Sequence, residues 1–283
     1  MPVILLDDVV ISEENNGFSV EDFIGYVKND TTFYMGFKHL RYYSHSYESE
    51  LNIFDEKGKI IGILKKWGKH HSNGKKAWVI NDSIFDEGKI FKRNGKYKYY
   101  TPKAFDEVFF PKDTIDVSLK ISKKNNKNES QNMRDAKTVG FSVGSGDTEQ
   151  SKAGMSVKLA VFDLRMQKYY DYIISETIYK GKDCYVFTVK VKEDLKAKDK
   201  EKTLIRKIVS YFDKQTFNVI YRQYKFVYNH WLVDLDMDVV VHMGYVKGKH
   251  IPTNILYKGF WDALLFKPER AEFKLVNTEY KVK

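Results

Sequence analysis

Three aspartates, Asp234, Asp236 and Asp238, recur at every second position, and His242 extends the series beyond Val240. Clustered carboxylates are the material of cation sites and of acid–base catalysis. On a strand, side chains two residues apart share a face at a separation of about 7 Å. Three of them cannot reach one ion. If Asn229-His230-Trp231 forms the preceding turn, Asp238 faces Arg222 across the ladder and the stripe is a solvated face with a cross-strand ion pair. Interleaved with it are Val233, Leu235, Met237, Val239, Val241 and Met243. Such alternation places one face in an apolar interior and the other against water or polar partners.

The remaining chemistry-bearing residues are scattered. Histidines occur at His39, His45, His70, His71, His230, His242 and His250, with no His-x-x-x-His pair of the helical metal-site kind. His70 and His71 fall on opposite faces of any strand. The sole cysteine, Cys184, lies in the apolar run Cys184-Tyr185-Val186-Phe187 and reads as a buried structural thiol. One cysteine excludes an intramolecular disulfide framework and a cysteine zinc cage. Gly144-Ser145-Gly146 lacks the Gly-Lys-Ser/Thr ending of a phosphate loop, and no Gly-x-Ser-x-Gly elbow occurs. No enzyme, cofactor or metal is therefore expected. A carbohydrate-active reading through Asp234, Asp236 or Glu176 is the weakest of the alternatives.

One local constellation points to an anionic ligand. Lys65, Lys66, Trp67 and Lys69 precede the Asn73-Gly74 turn, and Lys75, Lys76 and Trp78 follow it. A basic hairpin carrying indoles can hold phosphates while its rings stack on bases or sugars. The bland counterpart is an edge hairpin whose lysines oppose aggregation. The whole chain carries 48 Lys plus Arg against 38 Asp plus Glu, a formal charge of +10 that favours anionic partners.

These residues need elements to position them. With 283 residues, 42% hydrophobic and 15% aromatic, the chain can bury a large core. Its 20 Tyr and 19 Phe against 7 Met favour strands. Ser19 caps a short amphipathic helix containing Phe23, Ile24 and Val27, and Asn29-Asp30-Thr31-Thr32 ends it. A ring-rich strand from Phe33 to Tyr43 is expected next, then Glu50 to Phe54, the turn Asp55-Glu56-Lys57-Gly58, and Ile60 to Leu64. Asn73-Gly74 and Asn94-Gly95 are hairpin turns, the second closing a hairpin from Lys89 to Tyr100. Residues 112–156 read as a flexible polar crossover between an N-terminal half (1–111) and a C-terminal meander (157–283). In that meander, strands are expected over 172–179, 183–192, 204–212, 217–228, 232–243, 251–261 and 273–280. Short connections make them antiparallel neighbours. The fold class is mainly β, a large curved antiparallel sheet or half-barrel in one domain over 1–283, with few helices.

This order of elements resembles the Lol-type half-barrel of outer-membrane lipoprotein carriers and of uncharacterised Gram-negative cell-envelope proteins. It is carried by the helix from Ser19, the ring-rich segment from Phe33, and the first-half hairpins. It is also carried by Tyr169-Tyr170-Asp171-Tyr172, Tyr179-Lys180-Gly181-Lys182-Asp183-Cys184-Tyr185, Ser210-Tyr211-Phe212-Asp213 and Ile251-Pro252-Thr253-Asn254-Ile255. The resemblance implies a non-enzymatic envelope module that binds a lipid or acyl chain, a lipoprotein or an outer-membrane partner. Val219, Tyr221, Leu235, Met237, Val239, Val241 and Met243 would then line its cavity. It also implies the periplasm or the outer membrane's periplasmic face, with a leader absent from this chain. No stretch approaches the about 20 apolar residues of a membrane helix. The alternative is a cytoplasmic nucleic-acid-binding β protein using the basic Trp hairpin.

Overall fold

In the computed structural model, the described residues are 23–25, 27, 32–88, 90–117, 161–230, 233–263 and 267–281. Their strands form one unclosed, curved sheet of eleven antiparallel strands, ordered β4-β3-β2-β1-β11-β10-β9-β8-β7-β6-β5. The first group is β1 (Ser44–Phe54), β2 (Ile60–Ser72), β3 (Lys76–Gly88) and β4 (Ile115–Asp116). The second is β5 (Tyr170–Tyr179), β6 (Lys182–Val191), β7 (Ile205–Asp213), β8 (Val219–His230), β9 (Val233–Val246), β10 (Lys249–Ala263) and β11 (Glu269–Lys281). Each group is a plain meander. They join where β1 pairs with β11, Leu51 opposite Phe273.

Local chemistry explains the tight turns. Lys180 and Gly181 both take positive φ (50° and 75°), as do Lys247 and Gly248 (45° and 77°). These two-residue connections have the backbone twist that antiparallel ribbons require. At Asn73-Gly74 the Asn73 side chain accepts from the Lys75 and Lys76 amides at 3.0 and 2.7 Å. That Asx geometry fixes the β2–β3 register.

Three expectations are corrected. The ring-rich stretch from Phe33 is helix α1 (Thr32–Tyr42), not a strand. Phe33, Gly36, Phe37 and Leu40 are its buried positions, a helical i, i+3, i+4, i+7 face. The Lys89–Tyr100 hairpin contracts to a single bridge, Phe91 opposite Tyr97. Tyr100 instead opens helix α2 (Tyr100–Phe109). Asp238 stands opposite Lys225 rather than Arg222, because the β8–β9 ladder closes with His230 opposite Val233, so His230 lies in the ladder rather than in the turn. Two short helices, α3 (Leu164–Gln167) and α4 (Ala197–Lys200), flank the second meander. Of the N-terminal helix, Phe23–Gly25 and Val27 are helical. Its Ser19 cap and the Asn29–Thr31 end, and crossover residues 118–156, lie outside the described residues.

One face of the sheet is apolar and is roofed by helices. Phe23 packs on Phe187 and Phe212, with ring centroids at 5.2 and 5.3 Å. From α1, Phe33 lies under the Arg222 guanidinium at 4.3 Å. From α2, Phe105 stacks on Phe273 at 4.3 Å and Tyr100 meets Trp261 at 4.5 Å.

Backbones approach closely at Gly68, where an added Cβ would lie 2.2 Å from the Ile80 carbonyl oxygen and 2.6 Å from the Tyr47 hydroxyl. The Ile80 carbonyl cannot retreat without opening the β2–β3 ladder. Gly68→Ala should cost about 1–3 kcal/mol in urea unfolding, and an unchanged midpoint would refute this close approach.

Candidate functional site

Among the described residues, the roof leaves an opening near its edge. Where the C-terminal ends of α1 and α2 approach each other above β1, β2 and β11, a partly open cleft remains, with an enclosed volume of about 50 Å³. Phe37, Leu40, Tyr47, Phe109, Phe110 and Leu275 make its walls apolar. Its polar end carries Arg41, His45, His70 and Asn277.

Strand register builds that polar end. β1 and β2 place His45 directly opposite His70 on the inner face. The rings stack at 4.6 Å with planes 18° apart, and both are buried. Each Nδ1 reaches one and the same acceptor, the Tyr43 carbonyl at the end of α1, at 2.9 Å from His45 and 3.1 Å from His70. A carbonyl oxygen only accepts, so both rings carry their proton on Nδ1. Burial, then the neighbouring His70, lowers the pKa of His45 to about 3. Burial above all, with Arg41 and His71 adding to it against the raising hydrogen bond to Tyr43, lowers that of His70 to about 4. The pair is therefore neutral at physiological pH.

Helix α2 is fastened at two points. Its first turn has no side-chain cap of its own. Glu269 of β11 supplies one from across the core, accepting from the Tyr100 and Thr101 amides at 3.0 and 2.6 Å. Burial raises the Glu269 pKa against those hydrogen bonds. Further along, the Lys66 ammonium meets the Asp106 carboxylate, whose other oxygen accepts from the Tyr97 hydroxyl. Lys66 also lies 5.1 Å from the Phe110 ring centre. Burial first, and then Asp106, pushes the Tyr97 phenol up. The far end, Val108 to Phe110, borders the cleft and is held by ring packing, Phe109 on Phe273 and Phe110 on Tyr47.

Of the expected cavity residues, Val219, Leu235, Met237, Val239, Val241 and Met243 are all buried in the packed core. They floor the space that the helices roof, and a ligand touching them requires the helices to move. Tyr221 is corrected to the opposite face, where it contacts His242, Tyr211 and Tyr179. There the Tyr179 hydroxyl lies 2.6 Å from His242 Nδ1.

The basic hairpin divides in the same way. Lys66 points inward to Asp106, so it is withdrawn from any anionic ligand. Lys65 pairs with Glu50 at 3.1 Å. Trp67, Lys69 and Trp78 lie on the outer face, with Trp78 stacked on His71 at 5.5 Å, and Lys75 and Lys76 are exposed at the turn. The acidic stripe has separate partners: Lys225 for Asp236 at 3.8 Å and the Gln223 amide for Asp238 at 3.0 Å. Glu176 pairs with Lys214 at 2.6 Å. Among the described residues, no three His, Cys, Asp or Glu side chains are grouped to hold a metal. Cys184 is fully buried, its thiol directed to the Lys182 carbonyl at 3.3 Å.

A second depression, about 480 Å³, crosses the outer face between Gln223, Asp238, Glu272, Lys274 and Glu50. Several of its charges are paired, Lys258 with Glu272 at 2.8 Å and Glu50 with Lys65 at 3.1 Å. Its lining mixes these groups with Val240, Leu256, Tyr257 and Phe273, and it is an open groove rather than a recess. Reasoning from sequence had missed the His45–His70 pair, α2 and its two anchors. The i, i+3, i+4, i+7 series Thr101, Ala104, Phe105, Val108 was the available signal for the helix.

No family model matches the chain, and no curated protein does. Similar solved structures include a DUF1329 family protein from Desulfovibrio piger, 12% identical over 92% of this chain and 93% of that one, at a TM-score of 0.29. A domain assigned to outer membrane lipoprotein sorting from Vibrio parahaemolyticus is 10% identical over 88% of this chain and 92% of its own, at a TM-score of 0.26. Lipovitellin, solved for its lipid–protein interactions, is 9% identical over 84% of this chain but only 25% of its own length, at 0.27. Lipoprotein-sorting domains are the kind of protein that the sequence resemblance named. Likeness this distant carries nothing about ligand, partner or activity.

Proposed function

We propose that this chain is a non-enzymatic binding module of the cell envelope that takes an acyl chain, free or borne by a lipoprotein, beneath helices α1 and α2. The observation that carries the reading is the apolar cleft between Phe37, Leu40, Phe109 and Leu275, opening onto the apolar face of the sheet. An apolar recess with a few convergent polar groups is the usual form of a small-molecule site. As it stands the enclosed space admits a ligand's end and no more. A chain enters as the far end of α2, beyond the Glu269 and Asp106 anchors, lifts from Phe273 and Tyr47. The aliphatic and aromatic residues from Val219 to Met243 then supply the deeper wall. The same reading places the protein at the periplasm or the inner side of an outer membrane.

Native mass spectrometry of gently purified protein tests it. A lipid adduct, or binding of an uncharged fluorescent acyl probe displaced by monolauroylglycerol, is the expected result. Protein free of adduct that fails to bind the fluorescent probe at micromolar concentration would remove the proposal.

A further inference from the structure

We propose that His45 and His70 form the head-group end of the cleft and accept hydrogen bonds from a hydroxyl-bearing amphiphile, such as a fatty alcohol or the glycerol of a monoacylglycerol. This rests on the reading of the cleft as a lipid site and adds the chemistry of what is read there. Both Nδ1–H groups are committed to the Tyr43 carbonyl. Each Nε2 of the neutral pair is then a bare lone pair. Among the described residues neither Nε2 has a hydrogen-bond partner, although both rings line the cleft and are 6% and 7% exposed. An amphiphile that enters the cleft displaces the water that can reach these two acceptors, and must supply a donor in its place.

The donor that fits is neutral. Protonating either ring is opposed by burial and by Arg41 beside His70. Bringing a carboxylate up to two lone pairs without that protonation sets acceptor against acceptor. A hydroxyl donates to one Nε2 and leaves its alkyl chain along Phe37, Leu40 and Phe109. The enclosed volume of about 50 Å³ matches a hydroxymethyl end rather than a chain.

Isothermal titration calorimetry at pH 7.5 with decan-1-ol and with its acceptor-only counterpart, 1-methoxydecane, separates the possibilities. The alcohol should bind about tenfold tighter, the worth of one buried hydrogen bond. The preference should vanish in the His45→Phe/His70→Phe variant. In case that variant folds poorly, nitrogen-15 spectra of the wild-type imidazoles give a second readout. Each Nε2 resonance should move with decan-1-ol and stay with the ether. Equal affinities for the two probes with unmoved Nε2 signals would mean that the pair holds only water, overturning this assignment while the lipid site stands. If neither probe binds, the lipid reading and this assignment fall together.

Discussion

Lys66→Ala destabilises the fold by about 3–5 kcal/mol, the usual cost of leaving one member of a buried ion pair alone. Lys66 is only 5% exposed and its single carboxylate partner is Asp106. Removing the ammonium strands a carboxylate whose remaining polar contact is the Tyr97 hydroxyl. Asp106→Ala strands the ammonium beside Phe110 and costs a similar amount. The double variant Lys66→Met/Asp106→Leu recovers most of the loss, since apolar replacement of a whole buried pair is close to neutral. Urea unfolding of the three variants measures this, and the Lys66→Met and Asp106→Leu single variants close the cycle that yields a coupling energy. Hydrogen exchange adds a local readout: amides of Tyr100–Phe109 should open first in the single variants. A double-variant loss equal to the sum of the single losses would show that the pair contributes nothing specific to the docking of α2. Because the double variant keeps the helix in place without charge, it should also keep the lipid affinity.

The strands were legible because their signals are local. The alternation from Val233 to Met243 and the Lys180-Gly181 and Lys247-Gly248 turns each follow from a few adjacent residues. Backbone twist at those turns leaves antiparallel pairing as the only outcome. Phe33 to Tyr43 misled because aromatic residues favour strands on average. Here their spacing decides instead, since Phe33, Phe37 and Leu40 fall on one helical face and Gly36 lets that face close on Met243 and the His250 carbonyl. Tertiary packing overrode propensity, as it does whenever a short amphipathic segment has a large apolar surface to cover.

The site was hidden by single-residue events. Counting back from the pairing of Phe54 with Ile60 would set His45 opposite Lys69 and turn His70 to the outer face. A bulge between Ile53 and Phe54 shifts the ladder by one, and His70 arrives opposite His45. One extra residue in a strand reverses the facing of everything beyond it. In β8 a bulge between Val219 and Tyr221 puts Tyr221 on the outer face, and the pairing of His230 with Val233 brings Lys225 to Asp238. Glu269 capping α2 from 168 residues away leaves no local trace at all.

Acid should dismantle this site before the rest of the sheet. In the folded protein His45 and His70 titrate at about 3 and about 4, whereas an unfolded chain protonates histidine near pH 6.5. Their contribution is thus complete above about pH 6.5 and is lost as pH falls toward the folded values, because only the unfolded state takes up the protons. At 1.36 kcal/mol per unit and two groups, stability falls by about 4 kcal/mol between pH 7 and pH 5. That is a large share of the 5–15 kcal/mol typical of a domain. Most carboxylates still hold their charge over this interval, so the slope belongs mainly to histidine. Arg41 and His71 steepen the effect at His70, while the Tyr43 carbonyl moderates it at both rings. Replacing one ring, as in His70→Phe, should halve the slope, and a bound fatty alcohol should shift the acid midpoint downward by favouring the neutral pair. A stability profile flat from pH 7 to pH 5 would contradict the burial of the two rings.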